Sequence, residues 1–507
     1  MKLAFVLTVL AALLSTPAFS LNRTAVKQLA PGVTLTQETQ IAPALLVNVL
    51  TVDPTVSGIA VAPAVANDSL THGTGDIRKG RENVTDLVLR KNLVAAVNGD
   101  YFPYTGDPLG LGIMNGEIYS EPDCEPDILG RAAIGWTAAG QVLVGIPALT
   151  ATVRARSGAA FAITGIDRMT SRDNLDDLVL CTPRFGPNSG ARGNGTEVVL
   201  SGATPLPVAP GNTITATVSA VVTASPDPAN LPQGGLILSA PAGGHVAAAL
   251  AANLHVGDIV TIGLHIDDIT PASIGGPAIA WDSARQAIGG GPILLRHGKV
   301  VVDSAWEGFD SEFSDLRHAR TAVGVQADGK IVIVTVDAAS SLSDGIDLVD
   351  LATLLRGMGV VDAINLDGGG STTMAALGET VDYPCGSTAE RPVADMLTVS
   401  GTVSGPASGD SPPSLTAPEG QLVVGLDYPL TLTVNGVSVP GDRADIVWNG
   451  PVGDIGFVTQ NGVLHVMHAG HGTIKANVDG AIVSVNVAVA PAQSTPPTSS
   501  TPAPAGE

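Results

Sequence analysis

Residues 320–374 read RTAVGVQADGKIVIVTVDAASSLSDGIDLVDLATLLRGMGVVDAINLDGGGSTTM. Two apolar runs, RTAVGV and KIVIVTVD, flank Asp328-Gly329, a strong two-residue hairpin signal. With Ala327 paired to Lys330, Arg320 falls opposite Asp337, and directly opposed residues project on the same face. In DGIDLVDLATLLRGMG, Leu348, Leu351, Ala352 and Leu355 recur at helical spacing. Asp344 or Asp347 can cap the start of that helix, and Gly357 or Gly359 can end it. Val361–Leu366 follows as a buried strand. Strand, helix, strand is a crossover, so the 331–336 and 361–366 strands are expected to run parallel. Asp337 and Asp367 then share one carboxyl edge, and the hairpin brings Arg320 there. Open α/β sheets bind ligands at that edge.

Beyond that edge come Asp367, Gly368, Gly369, Gly370 and the cluster Ser371-Thr372-Thr373. Three glycines leave no Cβ in the way of a ligand approaching the backbone. The hydroxyls can cap a short helix whose positive end attracts an anion. Carboxylate, glycine loop and hydroxyls together suit a phosphorylated or oxygen-rich substrate. The G-x-x-x-x-G-K-[ST] pattern of a P-loop does not occur.

Outward from this centre, His318 in Arg317-His318-Ala319-Arg320 is either a general acid or base or a solvated loop histidine. Residues 33–63 alternate apolar and polar positions and read as strands. A helix is expected near Val84–Lys91. The apolar strand LVAAV (93–97) ends abruptly in Asn98-Gly99-Asp100-Tyr101-Phe102, which is either part of a site or an ordinary Asx turn. Residues 109–150 read as a meander turning at Asn115-Gly116 and Ala139-Gly140. Residues 181–202 read as strand, glycine-rich loop carrying Arg184, and strand. A helix over 245–254 precedes a strand at Ile259–Ile266, and 287–301 is a glycine bend followed by a hairpin at His297-Gly298. Glu390-Arg391-Pro392 precedes a closing strand and reads as a surface ion pair or a site element. Residues 403–414 have linker composition. Residues 415–490 read as short strands with turns at Asn435-Gly436 and Asn461-Gly462, an all-β accessory sandwich. Residues 491–507 form a Pro/Ser/Thr-rich tail. The fold class expected is an α+β or mixed α/β domain with a largely mixed β-sheet core, followed by an all-β Ig-like sandwich.

At 507 residues the chain needs two or three domains. Its net charge of −22 argues against nucleic acid, since phosphates would be repelled over most of the surface. Residues 1–20, MKLAFVLTVLAALLSTPAFS, have the lysine, apolar run and small-residue exit of a secretory signal peptide rather than a membrane span. A secreted, periplasmic or cell-surface protein is expected. Cys124, Cys181 and Cys385 include no C-x-x-C, so a structural zinc is not expected. They allow one disulfide with one free thiol, or three buried thiols. Sequons stand at Asn22, Asn67, Asn83 and Asn194.

NGDYF (98–102), AIGGGPILLRHGKV (287–300), RHARTAVGV (317–325), INLDGGGSTTM (364–374) and ERPVADML (390–397) together resemble the phosphodiester glycosidase family, in the family's order, over about residues 30–402. Residues 415–490 resemble a bacterial group 2 Ig-like domain. The first resemblance implies hydrolysis of an α-linked sugar 1-phosphodiester, of N-acetylglucosamine type, in envelope or extracellular glycans. It implies a site drawing on Asn98, Asp100, Arg320, Asp367, Gly368, Gly369, Gly370, Ser371, Thr372, Glu390 and Arg391. The chemistry assigns Asp367 to activating water or attacking the anomeric carbon, with Asp100 as its partner or as a ligand to a sugar hydroxyl. Arg320, with Arg391 or Arg184, would hold the phosphate, and Glu390, His318 and Asp337 complete the candidate set. No cofactor is required, although Asp100, Asp337 and Asp367 could share Ca²⁺ or Mg²⁺. A serine hydrolase at Ser371 is poorly supported, because Thr373 stands where G-x-S-x-G needs its last glycine. The alternative is a non-catalytic glycan- or sugar-phosphate-binding adhesion protein, associated with the cell surface through the Ig-like module.

Overall fold

A computed structural model of the chain describes residues 22–70, 80–122, 130–171, 173–191, 193–302, 304–384, 389–402 and 411–491. The expected signal peptide at 1–20, Cys124, Cys385, most of the expected linker and nearly all of the expected tail lie outside the described residues. Cys181 is a buried free thiol.

The deciding stretch builds the middle of an eight-stranded sheet. Its order is Asn22–Ala30, Val33–Ile41, Ala44–Val52, Ile331–Val336, Arg320–Gln326, Val360–Asn365, Ile293–Arg296 and Lys299–Val300, with every neighbouring pair antiparallel. The 331–336 and 360–365 strands flank the 320–326 strand from opposite sides, each antiparallel to it. They therefore run parallel to one another, as expected, with the first hairpin strand lying between them. The helix Leu348–Gly357 connects them, and the Asp347 carboxylate accepts the Asp350 N–H at its start. Leu348, Leu351 and Leu355 pack on Val334, Val336 and Ala322 of one face of the sheet. Val323, Ile333 and Ile364 on the other face pack against Val97, Met374 and Leu397. Burial on both faces explains why these strands are continuous apolar runs.

The hairpin register differs from the expected one. Gln326 N–H donates to Lys330 O at 2.8 Å, and Gly329 N–H returns to Gln326 O at 2.9 Å with Gly329 at φ 89°. The loop is thus three residues, 327–329, the kind that ends in a residue with positive φ. The extra residue moves the ladder by one, so Arg320 lies opposite Val336, not Asp337. A one-residue slip sends side chains to the other face, which separates the two groups.

A second eight-stranded sheet, built from 147–268, has the only parallel ladder among the described residues, Gly165–Ile166 with Val179–Cys181. The expected mixed sheet is therefore almost wholly antiparallel. A five-stranded sheet matters most for the site, with order Glu379–Thr380, Met374–Ala376, Ala95–Asn98, Asp395–Ser400, Ala60–Val65. It gathers the ends of three of the quoted motifs side by side.

Residues 414–489 form three small three-stranded sheets around Trp448, Ile455, Leu464 and Ile474. This module is docked on the main domain. Gln460 N–H donates to Gln37 Oε1 at 2.8 Å, Lys27 Nζ to Arg443 O at 2.6 Å, and Gly450 N–H to Thr380 O at 2.7 Å. The Phe457 ring meets Tyr383 edge-on, with centroids 5.8 Å apart.

Candidate functional site

Asp367 follows the Val360–Asn365 strand at the sheet edge, where the backbone must turn. Its own N–H donates to Gly99 O at 3.0 Å, and its Oδ1 accepts the Gly368 N–H at 2.8 Å. Gly369 adopts φ 57°, a left-handed conformation, and sends its N–H to Ala319 O at 2.8 Å. The glycine loop thereby folds back over the first hairpin strand. Gly370 lies against the Arg391 guanidinium so closely that a Cβ there would overlap it. Ser371 is fully buried and accepts from Arg391 Nη1 at 3.3 Å. Burial raises the Asp367 carboxyl to about 6, against the lowering effects of the Ser371 hydroxyl, the Gly368 N–H, Arg391 and Arg131. It is thus poised between its two protonation states near neutral pH.

A cleft of about 650 Å³ opens above this carboxylate, lined by Arg81, Tyr101, Phe102, Tyr104, Leu109, Arg131, Phe309, Phe313, Asp367 and Arg391. Phe309 and Phe313 stack with centroids 4.6 Å apart, and Tyr101 tilts against Phe309 at 5.3 Å. Arg131 lies over both Tyr101 and Phe309, and Arg81 over Tyr104. The cleft therefore offers flat apolar surface for a sugar ring, guanidinium groups for an anion, and one carboxylate at its floor.

The expected site residues divide by position. Asp367, Arg391 and the glycine loop meet at the cleft, with Ser371 bonded to Arg391 behind it and Thr372 buried beside it. Asn98 is fully buried and ties three segments together. Its Nδ2 donates to Asp367 O at 2.6 Å, and its Oδ1 accepts from Thr321 Oγ1 at 2.7 Å and Thr373 N–H at 3.1 Å. Asp100 lies beneath the cleft, its carboxylate held by the N–H groups of Tyr101 and Gly110. Arg320 donates to the carbonyls of Phe313, Leu316 and Ile346 and lies under the Phe313 ring at 4.7 Å. It supports the aromatic wall instead of facing the cleft.

Four residues sit elsewhere. Glu390 accepts the Thr85 N–H and the hydroxyls of Thr85 and Thr380, which fastens the first turn of the Val84–Lys91 helix. Arg184 pairs with Glu117. His318 is exposed, its backbone bridged to Ile346, and burial and Arg320 lower its pKa. Asp337 is fully buried and accepts the Tyr383 N–H at 2.9 Å, beside Asp382. Asp100, Asp337 and Asp367 thus occupy three separate surroundings. Among the described residues no group of three or more His, Cys, Asp or Glu is arranged to hold a metal.

The sequence expectations did not include Arg81, Arg131, Phe309 or Phe313. A signal for the rings existed. The chain is only 3% aromatic, yet DYFPY (100–104) and FDSEF (309–313) each concentrate two or more rings within five residues.

Residues 212–400 match the phosphodiester glycosidase family, a stretch that carries Phe309, Phe313, the glycine loop and Arg391. That segment belongs to the phosphodiester glycosidase family. Over 86 residues the chain is 40% identical to the SPbeta prophage-derived uncharacterized protein YomE of Bacillus subtilis, covering 17% of this chain and 13% of that protein. Over 108 residues it is 33% identical to the N-acetylglucosamine-1-phosphodiester alpha-N-acetylglucosaminidase of Mus musculus, covering 20% of this chain and 21% of that enzyme. The aligned stretches are thus about a fifth or less of either relative's length. The crystal structure of a hypothetical protein from Synechocystis has the same fold, with a TM-score of 0.57, 23% identity, and coverage of 76% of this chain and 64% of that one.

Proposed function

We propose that this protein is an exported hydrolase of α-linked sugar 1-phosphodiesters, of N-acetylglucosamine type, in envelope or extracellular glycans. The observation that supports this most is the placement of Asp367, the carboxylate at the floor of an aromatic cleft lined by Arg81, Arg131 and Arg391. The sugar ring lies on the Tyr101, Phe309 and Phe313 surfaces. Arg391, with Arg131, holds the phosphodiester anion and stabilises the charge that grows on it as the glycosidic bond breaks. Ionised Asp367 either takes the proton from an attacking water or adds to the anomeric carbon itself. Water finally supplies the anomeric hydroxyl, and the phosphate stays on the acceptor. A phosphomonoester is a good leaving group, so this chemistry does not need a strong general acid. The docked C-terminal module is read as an Ig-like accessory that associates the enzyme with a cell surface, and the leader at 1–20 as the export signal.

Release of free N-acetylglucosamine from UDP-N-acetylglucosamine, or from a simple α-sugar phosphodiester, tests the reading with the full chain beside Asp367→Asn. Release by the unaltered protein and near-complete loss in the folded variant supports it. Equal release by both removes Asp367 from the chemistry. No release across several sugars, with binding retained, makes the protein a sugar-phosphate-binding module instead.

A further inference from the structure

Asp395 lies directly behind this site, 1% exposed, at the start of the Asp395–Ser400 strand. Its Oδ1 accepts the Asp100 N–H at 2.8 Å, and its Oδ2 accepts the Tyr119 hydroxyl at 2.9 Å. Its carbonyl accepts the Gly99 N–H at 3.0 Å, and the Gly99 carbonyl in turn accepts the Asp367 N–H at 3.0 Å. The fit is tight enough that a Cβ on Gly99 would overlap Asp395 Oδ1. One short turn therefore has the Asp395 carboxylate packed on one side and the Asp367 backbone on the other. The same turn continues into Tyr101, whose ring is a wall of the cleft. Among the described residues, no lysine or arginine hydrogen-bonds the carboxylate of Asp395 or Asp100.

We propose that Asp395 is a positioning residue for the cleft: it clamps the Gly99–Tyr101 turn, to which the Asp367 backbone is fastened and from which the aromatic wall continues, and it sets a second buried carboxylate behind the one at the cleft floor. Burial raises both Asp395 and Asp100 above the ordinary carboxylate range. Repulsion from Asp367 raises Asp395 further, and repulsion from Asp395 raises Asp100. Such repulsion belongs to the pair, whichever member takes the proton first. The other charged groups facing the set are Arg391 and Arg131 against Asp367, Arg131 against Asp100, and Arg184 against Tyr119. None of them hydrogen-bonds Asp395.

The test follows Asp367 itself. The full chain is labelled with ¹³C-carboxyl aspartate, the Asp367 resonance is assigned with Asp367→Asn, and its titration is recorded in the unaltered protein and in Asp395→Asn. Asparagine keeps an oxygen for the Asp100 N–H and removes the charge. The Asp367 inflection, near about 6 in the unaltered protein, is expected to fall by about one pH unit, the size of a close like-charge effect. An unmoved or raised inflection in the folded variant overturns the proposal. If Asp395→Asn does not fold, Tyr119→Phe decides. Without that hydroxyl, Asp395 holds its proton to higher pH, and the Asp367 inflection must again fall. The kinetic arm rests on the proposed reaction: the acid limb of kcat/KM for UDP-N-acetylglucosamine should move with the resonance. A resonance that moves in a protein turning over no sugar phosphodiester defeats the proposed reaction and leaves the positioning role standing.

Discussion

At pH 5 Asp367, with its carboxyl raised to about 6, holds a proton in roughly nine molecules of ten, and at pH 7 in roughly one of ten. A base or nucleophile acts only when ionised. The competent fraction therefore grows about tenfold across those two pH units, and kcat/KM should climb with it, half-maximal near about 6. The acid limb should have a slope of one proton. The structure also fixes the direction in which variants move this inflection. The Ser371 hydroxyl and the Arg391 guanidinium both favour the ionised form, so Ser371→Ala and Arg391→Leu should each shift the limb to higher pH. Arg391→Leu should also raise KM, because it removes a phosphate contact. The assay is release of free sugar from UDP-N-acetylglucosamine at low substrate concentration across buffers of matched ionic strength. A rate that rises toward pH 5 would make Asp367 a proton donor and refute the assigned role. A limb that stays fixed in both variants would show that some other group carries the inflection.

Gly370→Ala should push the exposed Arg391 guanidinium out of place without disturbing the core, raising KM about 10-fold for one charged contact while Tm stays unchanged; KM and Tm measured together check this. Arg184→Ala should leave kcat and KM unaltered, because Arg184 pairs with Glu117 away from the cleft, and steady-state kinetics would expose any role in phosphate binding. Phe457→Ala removes the ring packed on Tyr383 and Leu46 and should cost about 3–5 kcal/mol, splitting urea unfolding so that the C-terminal module melts first by tryptophan fluorescence. The Asp337 carboxyl is raised by burial from 3.8 to about 8, and Asp382 is raised by burial and then by repulsion from Asp337. Their stabilisation is therefore complete at acid pH and is lost as pH rises toward about 8. Asp382→Asn should raise Tm at pH 8 and change it little below about pH 4, where the carboxyl is protonated in the folded and unfolded chain alike, and a loss of Tm at pH 8 would contradict the sign.

The crossover was legible because its signals are local: a helical repeat of leucines, an aspartate cap, and two apolar runs of strand length. Those fix which strands run parallel and place Asp367 at the carboxyl edge. The hairpin register was not legible to one residue. Gln326 and Lys330 close a three-residue loop where Asp328-Gly329 suggests two, and that single residue separates Arg320 from Asp337. Arg81 and Arg131 carry no local pattern at all. They reach the cleft only because distant segments fold to one place, stacking on Tyr104, Tyr101 and Phe309. The five rings at the cleft are a large share of the 17 aromatic residues in the chain (4 Trp, 5 Tyr and 8 Phe), so their local crowding was the readable trace of the site.

Polar residues in the motifs were read as chemistry, and many of them hold backbone instead. A buried donor or acceptor without a partner costs about 1–3 kcal/mol, so a polar side chain inside this sheet edge must be matched to specific groups. Asn98 is matched to Asp367 O, Thr321 and Thr373. Asp100 is matched to two N–H groups and Arg320 to three carbonyls. Each is fixed by these bonds and so has few groups left to offer a substrate. Asp367 differs: it is only partly buried, is held by the Gly368 N–H and the Ser371 hydroxyl, and lines the cleft. A reacting group needs one face held rigidly and the other open. That difference in commitment, more than residue type, singles out Asp367 from the other carboxylates near it and assigns Asn98, Asp100, Arg320 and Asp395 to the frame that aims it.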